Sequence, residues 1–591
     1  MMHAIVRLTL VAVLLGSCAP AASQIDGNAH PESQPLTAAT AERTFPFGQP
    51  PTRSAMDVTD KHAFAQAVEL EPLRDLAVSH NGRVKILDTL ARETVQQLTG
   101  RDGYFDVGVP DDEGRRPKLH YDPLFTLVDL VVDTGYYVDK PLLSVGYLPL
   151  RRSFLEAAFP ENPDSIEGWM RLTRIAPGMV AAFGEAMWAR HEAKEPYREA
   201  LLRLDGRMAL FAGSINNWLV VAPDSTEDQW HHLGESGLHA ELAALNRSLG
   251  DAWRAGDADA VNSAVALLAE LLPTIHAEQY PTTRRSLEMA YNRTNAFEWG
   301  FWLYLFSLIS LVLAFGTRRR WVSGLGYAFF GLGLAMHSFG FVVRCIISER
   351  FAIQNQFESM AGLSFFGAVV GLAAAIKLRQ PIFIAASAGL GFLLLMTATQ
   401  TGMPGEVVER EAAILNTSVL LKYHVTTVLV SYGLITLGLM ISLFYLAAYY
   451  GAKLKGSGAE TVSLAAASVA PDAATPGEGD APKRPGLART LADLDTAHMT
   501  VLQLAFWTLG VGILLGAWWA DHSWGRWWAF DPKETWAMIT WIVYLIVIHL
   551  RMTGIKNKAL VTAWLSVVGF FIMLWTYFGV NLLLPGLHAY A

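Results

Sequence analysis

Residues 524–541 read WGRWWAFDPKETWAMITW, with apolar runs on both sides. Five tryptophans and an arginine are crowded around the polar step Asp531-Pro532-Lys533-Glu534. That step is a strong helix start: aspartate at the N-cap, proline at the first helical position, glutamate at the third. The stretch is therefore a loop held just above the beginning of an apolar helix. Trp518, Trp519, Trp524, Trp527, Trp528, Phe530 and Trp536 lie around this start. Tryptophan commonly lines membrane–water interfaces, but a belt needs only one or two per helix end. It has no use for an Asp-Pro-Lys-Glu step among them.

Working outward, the second half of the chain contains eight apolar segments, at about 298–315, 323–346, 359–376, 381–399, 424–449, 501–520, 536–552 and 560–584. Composition agrees: the 591 residues are 52% hydrophobic and 17% charged, against about 25% charged in soluble chains. Net charge is −8 with no strongly basic patch, which excludes nucleic acid as a partner class. Basic residues cluster in alternate loops: Arg318 to Arg320, Lys377 and Arg379, Lys453 through Arg484, and Arg551 through Lys558. By the positive-inside rule these loops are cytoplasmic. The tryptophan loop, the loop 400–423, the C-terminus and everything before the first span then face outward, across a bacterial inner membrane. The fold expected is an all-α polytopic membrane protein, an eight-helix bundle over 297–591 preceded by a mostly helical extracytoplasmic domain.

The N-terminus agrees with this orientation. Arg7, the apolar run Leu8–Leu15 and Leu15-Gly16-Ser17-Cys18 read as a signal peptide over 1–18, too short to span a bilayer. The LGSC step resembles a lipobox with Cys18 as the lipidated residue; the alternative is ordinary cleavage beside an incidental cysteine. Residues 19–62 lack apolar periodicity and read as a flexible tether. Residues 63–296 read as a globule. In it Ser79-His80-Asn81-Gly82 offers a turn, Asp88 a cap for the helical pattern of Leu87–Leu98, and Asp122-Pro123 a helix start through Val132. Further helical patterns cover about 167–193, 237–253, 258–278 and 283–296, without a catalytic constellation. Residues 451–498 read as a cytoplasmic linker, with a low-complexity stretch at 456–486. Cys18 and Cys345 have no near partner, so there is no CxxC redox pair and no CxxCH haem-attachment motif.

A flat, partly charged aromatic ligand suits the tryptophan loop. A porphyrin packs its faces on aromatics, its carboxylates pair with a cation such as Arg526, and its iron takes two axial imidazoles. The charge-derived topology puts His424, at the start of span five, and His588, past the end of span eight, at the level of this loop. His522 inside the loop is a competing candidate. Two more histidines lie within spans, where ionisable groups default to functional hypotheses. His549 is expected about 20 Å and His337 about 15 Å below the outer surface, at ~1.5 Å per residue. The alternative for both is a histidine hydrogen-bonded to a neighbouring helix.

These residues resemble a known family. WGRWWAFDPKETWAMITWIVYLIVIHLR at 524–551 is similar to the tryptophan-rich signature of the CcsA/ResC-type cytochrome c biogenesis proteins. LKYHVTTVLVSYG at 421–433, RCIISERFAIQNQFESMAGL at 344–363 and YFGVNLLLPGLHAYA at 577–591 are also similar to that family, in order, over about 298–591. Phe530 stands where the family usually has tryptophan, which keeps an aromatic face, and the linker after span five is long. The resemblance implies the membrane subunit of a two-component cytochrome c synthase, a haem lyase. Non-covalent haem b, both ligand and substrate, would pass from an intramembrane site to the outer site. There it would be attached through thioether bonds to the CxxCH motif of apocytochrome c. His424 and His588 would be the catalytic axial ligands and His549 an intramembrane ligand. Trp519, Trp524, Arg526, Trp527, Trp528, Phe530, Asp531, Trp536 and His337 complete the candidate haem-binding set. In the family the partner of the intramembrane histidine comes from a companion ResB/CcsB subunit, which weakens His337. LAVSHNGRVKILDTLARETVQQLTG at 76–100 is similar to the outward domain of fused relatives; the first helices of the companion are not in this chain, so a separate ResB/CcsB-like subunit is expected. Thiol-reducing proteins are further expected partners. A haem transporter or exporter component without ligation chemistry is the nearest rival reading.

Overall fold

The computed structural model describes residues 45–108, 117–190, 195–225, 228–235, 240–317, 319–403, 405–408, 419–454 and 486–584. Contacts divide the chain into two units, 33–294 and the remainder from Asn295 onward. The signal-peptide and lipobox readings lie outside the described residues, as do 455–485 and His588.

The first unit is mostly helical. Helix α1 (Val58–Ala67) is followed by the hairpin β1 (Ala77–His80) and β2 (Arg83–Ile86), antiparallel in the register Ala77↔Ile86. Asn81 and Gly82 turn it at φ 51° and 70°, the left-handed pair that a two-residue hairpin loop demands. Helix α2 (Leu87–Thr99) buries Leu87, Leu90, Ala91, Thr94, Val95 and Leu98 and stops at Gly100, φ 69°. Its N-cap is Ile86, without a side-chain cap. Asp88 instead accepts from Arg74, Arg92 and Asn292. The hairpin β3 (Tyr104–Val107) and β4 (Lys118–Tyr121) leads to α3 (Pro123–Val132), whose N-cap Asp122 accepts from Leu124 N at 2.8 Å. Then come β5 (Leu143–Ser144), α4 (Leu148–Ala158), α5 (Pro163–Met170), β6 (Arg174–Ile175), α6 (Pro177–Arg190) and α7 (Glu195–Ala212). Helices α8 (Ala240–Ala255), α9 (Ala258–Leu271) and α10 (Thr283–Thr294) complete the unit.

Two features of this unit escaped the sequence reading. The two short hairpins and the two-residue pairing of β5 with β6 are too brief for an alternating pattern. The tether from 19 to 62 ends earlier than expected: Phe47 is 1% exposed and packs edge-on against Trp218 at 5.2 Å. At the core, Lys61 is wholly buried, with Nζ 2.7 Å from both Asp129 Oδ1 and Asp133 Oδ2. Trp253 Nε1 also donates to Asp129 at 2.7 Å.

Among the described residues of the second unit, eight helices are long and apolar enough to cross a membrane. They are α11 (Ala296–Thr317), α12 (Arg320–Ile347), α13 (Gln356–Leu378), α14 (Ile382–Gln400), α15 (Val419–Leu454), α16 (Gly486–Trp524), α17 (Pro532–His549) and α18 (Lys558–Leu574). Helix α18 continues through a π-helical turn, Trp575–Gly579, into α19 (Val580–Leu583). Helix α15 is the hub, packed against α13, α14, α16 and α18. Its small residues explain this: a Cβ at Gly433 would lie 3.3 Å from Gly367 Cα, and one at Gly438 3.2 Å from Leu502.

Helix α16 begins well before residue 501, so 486–498 are helix and not linker. Ala488, Leu491, Leu494 and Ala497 recur at helical spacing and are buried. The intervening Arg489, Asp493 and Asp495 lower the hydropathy and hide the helix. Two of the polar residues are buried with partners: Asp495 pairs with Arg551, and His498 Nε2 lies 2.9 Å from Ser442 Oγ.

Candidate functional site

The loop 525–531 joins α16 to α17. Gly525 (φ 68°) and Phe530 (φ 55°) both take left-handed backbone conformations, uncommon for an aromatic residue. Phe530 turns its ring outward, 76% exposed. Asp531 then starts α17 with a complete capping box: its side chain accepts from Lys533 N at 3.2 Å, and Glu534 Oε2 accepts from Asp531 N at 3.3 Å. Glu534 also accepts from Ala529 N at 2.9 Å. One carboxylate thus ties the tryptophan loop to the first turn of α17.

Below this loop is a cavity of about 230 Å³. One wall is α15 and α16, with His424, Val428, Tyr432, Gly516 and Trp519. Trp528, Lys533 and Glu534 come from the loop and α17, Thr576 and Tyr577 from the π turn, and Ile353–Gln356 with Ser359 from the start of α13. His424 is placed by glycine. A Cβ at Gly512 would lie 2.8 Å from Val428 Cγ2, and one at Gly516 2.5 Å from His424 Cε1. Positions 424 and 428 therefore fit into notches at 512 and 516, each pair one turn apart. His424 Nδ1 is 2.8 Å from the Gly512 carbonyl oxygen. A carbonyl only accepts, so Nδ1 carries the proton; in the neutral ring Nε2 then carries the lone pair, the tautomer of a metal-ligating imidazole whose other nitrogen is anchored.

Two cations face the same space. Lys422 and Lys533 line the cavity, half-buried, and neither ammonium has a hydrogen bond or ion pair among the described residues. The wall at 353–356 is held by a buried charge cluster. Glu358 is fully buried; Arg344 Nε lies 3.1 Å and two Arg350 nitrogens 2.6 and 2.9 Å from its oxygens. Arg344 also donates to the carbonyls of Gly405 and Glu406, at 2.6 and 2.8 Å. Gln354 N donates to Glu358 at 3.1 Å, and Asn355 caps α13 by accepting from Glu358 N at 2.8 Å. Tyr577 and Ser359 share a short hydroxyl contact across the cavity edge.

Of the candidates from the sequence, His424, Trp519 and Trp528 come together on this cavity. Trp519 is 2% exposed. Arg526 and Trp527 are exposed on the loop and do not line it. Asp531 acts as the cap, and Trp536 packs edge-on against Trp575 at 5.8 Å. Trp524 is the last residue of α16, and His522 is exposed, with Nδ1 3.0 Å from the Trp518 carbonyl. His337 and His549 have different surroundings. His337 is wholly buried, with Nδ1 3.3 Å from Tyr304 Oη and Nε2 3.1 Å from the Ala361 carbonyl. His549 is exposed on α17, with Nδ1 2.8 Å from the Leu545 carbonyl. Sequence reasoning missed Lys422, Lys533 and the segment 354–359. All three stand inside the family-like motifs, two residues from His424, in the Asp-Pro-Lys-Glu step and in the stretch 344–363; only the shared cavity reveals them.

Comparison with known proteins agrees. The family model described as "Cytochrome C assembly protein" matches residues 332–588. The cytochrome c biogenesis protein CcsA of Parasynechococcus marenigrum is 30% identical over 301 residues, 49% of this chain and 94% of that protein. CcsA of Synechococcus elongatus is 34% identical over 269 residues, 42% of this chain and 81% of that protein. Protein NrfI of Wolinella succinogenes is 27% identical over 548 residues, covering 86% of this chain and only 53% of NrfI. The described residues contain the eight apolar helices, the tryptophan loop and the cavity beneath it, the family model spans the loop, and the chain covers nearly all of a 30% identical CcsA: this chain belongs to the CcsA-type family of cytochrome c assembly proteins.

Proposed function

We propose that this protein binds haem b without covalent attachment and presents it on the extracytoplasmic side for thioether attachment to the CxxCH motif of apocytochrome c. The observation that carries this reading is His424: its Nδ1–H is spent on the Gly512 carbonyl, at a cavity lined by Trp519 and Trp528. The residues present fit the group. His424 would supply a lone pair for iron, and His588, outside the described residues, would supply the second imidazole. Tryptophan faces suit the ring, and Lys422 and Lys533, rather than Arg526, are the cations inside the cavity. Haem supplies vinyl groups, across which the thiol S–H bonds of the substrate add to give thioethers, with no change in electron count.

The chain's own part is positioning. His424 is fixed by its Gly512 bond and the Gly516 notch, so its lone pair is aimed without a loss of side-chain freedom on binding. The tryptophan loop is fixed to α17 through Glu534, which keeps the aromatic cover at one height and limits water. His549 is exposed on α17, which leaves it accessible to act as a ligand at an intramembrane site shared with a ResB/CcsB-like subunit. His337 has both ring nitrogens committed to its own bundle and is assigned a packing role. Apocytochrome c and thiol-reducing proteins are the remaining partners, and the inner membrane, with the tryptophan loop and first unit outward, is the location.

The test is holocytochrome formation with the ResB/CcsB-like partner in a host lacking other maturation systems. His424→Ala is expected to abolish covalent cytochrome c and to regain part of it with added imidazole. Full activity of that variant would overturn the ligand role. Haem-loaded protein that makes no covalent product would support a transport component instead.

A further inference from the structure

One wall of the cavity carries an unsatisfied acceptor and an unsatisfied donor. Gln354 and Gln356 both line it. Among the described residues, Gln354 Oε1 and Gln356 Nε2 are shut off from solvent and have no hydrogen-bond partner, and Gln356 is only 6% exposed. Buried polar groups in folded proteins are nearly always paired, and an orphan at a binding site calls for an explanation. The backbone of the segment is held in place. Glu358 holds Gln354 N, Asn355 caps α13, and a Cβ at Gly405 would lie 2.2 Å from Asn355 Cγ, so the neighbouring backbone presses on it.

The two orphans ask for opposite partners. Gln354 Oε1 needs a donor and Gln356 Nε2 an acceptor. The carboxylates of a porphyrin accept only, and Lys422 and Lys533 already face the cavity to receive them. A polypeptide main chain offers both groups within one or two residues. We propose that Gln354 and Gln356 bind the main chain of the polypeptide substrate beside its CxxCH cysteines. Gln354 accepts from a backbone N–H, and Gln356 donates to a backbone carbonyl. They are positioning residues: they set where the two thiols stop and take no part in bond making. This rests on the function proposed above.

The probe is a peptide spanning the CxxCH segment with both cysteines replaced by serine, so that binding is read without reaction. The protein is the full chain with its partner subunit, loaded with haem. Gln354→Met and Gln356→Met are each expected to weaken peptide binding about tenfold, the size of one hydrogen bond, with the haem absorption spectrum unchanged. In wild-type protein, an ester scan of the peptide, replacing one backbone amide at a time, should find one position where loss of N–H weakens binding by a similar factor. That ester should cost nothing further in Gln354→Met. Wild-type peptide affinity in both variants, or a flat ester scan, overturns the inference. If a variant fails to fold, the wild-type ester scan alone decides. If the wild-type protein binds no haem and makes no holocytochrome, the proposed function fails first; if it does both and the glutamines do not matter, only this inference fails.

Discussion

At the scale of single residues, the site depends on a missing atom. His424 occupies the space that a Cβ on residue 516 would take, 2.5 Å from Cε1. Gly516→Ala is expected to push the imidazole off its Gly512 bond and to lower holocytochrome yield at least tenfold while the protein still inserts in the membrane. Immunoblots of membranes beside haem-stained gels check this; unchanged yield would show that the ring tolerates displacement. Histidine reports differently in the first unit. Burial, and then the charge of Lys85, push His80 down to about 4. Its Nδ1 is 3.3 Å from Lys85 Nζ. An unfolded histidine titrates near 6.5, so between about 6.5 and 4 the unfolded chain takes up a proton that the folded chain refuses. Stability is lost as pH falls through that window. His80→Gln should therefore lose less thermal stability than wild type between pH 7 and pH 5 in melting curves of purified protein. The level of His424 beside the tryptophan loop was legible in the sequence. The Gly512 and Gly516 notches were not, because a glycine in an apolar span looks the same whether or not a side chain fills the space it leaves.

At the scale of elements, the start of α17 was fully legible. Asp531, Pro532 and Glu534 state a helix N-terminus in local terms, and the capping box forms as written. The wall at 353–359 was not, because its strength comes from residues far apart in sequence. Arg344 on α12, Arg350 between helices and Glu358 on α13 form a buried cluster, with Arg344 stacked over Phe357 at 4.8 Å. Breaking a buried ion pair by removing one charge costs about 3–5 kcal/mol. Glu358→Gln is expected to lower the thermal midpoint of the detergent-solubilised protein and to abolish haem attachment. A midpoint equal to wild type would mean that the cluster carries little of the stability at this end of the bundle. The start of α16 was misread for a related reason. Mean hydropathy cannot see a helix whose polar side is neutralised by partners elsewhere, such as Arg551 for Asp495.

At the scale of the whole molecule, the eight-helix membrane unit follows from hydropathy and helix punctuation, and a one-dimensional pattern suffices because a bilayer admits few backbone solutions. The short hairpins of the first unit and the packing of Phe47 rest on tertiary contacts that no local pattern encodes. Helices α15 and α16 pack along each other directly, so the chain between them is not what joins them. Cutting a protease site placed within 456–484 is expected to leave the two fragments co-purifying and the maturation activity intact. Fragments that separate on a detergent column would show that the covalent link is required.

The π-helical turn at Trp575–Gly579 has one more consequence. Such a turn amounts to a single surplus residue in an α-helix, and one residue corresponds to about 100° of rotation at 3.6 per turn. The azimuth of Val580–Leu583, and the heading with which the chain leaves that helix, is therefore set by a count of one. Removing that residue would leave α18 below it unaltered and swing the end of the chain through a quarter circle.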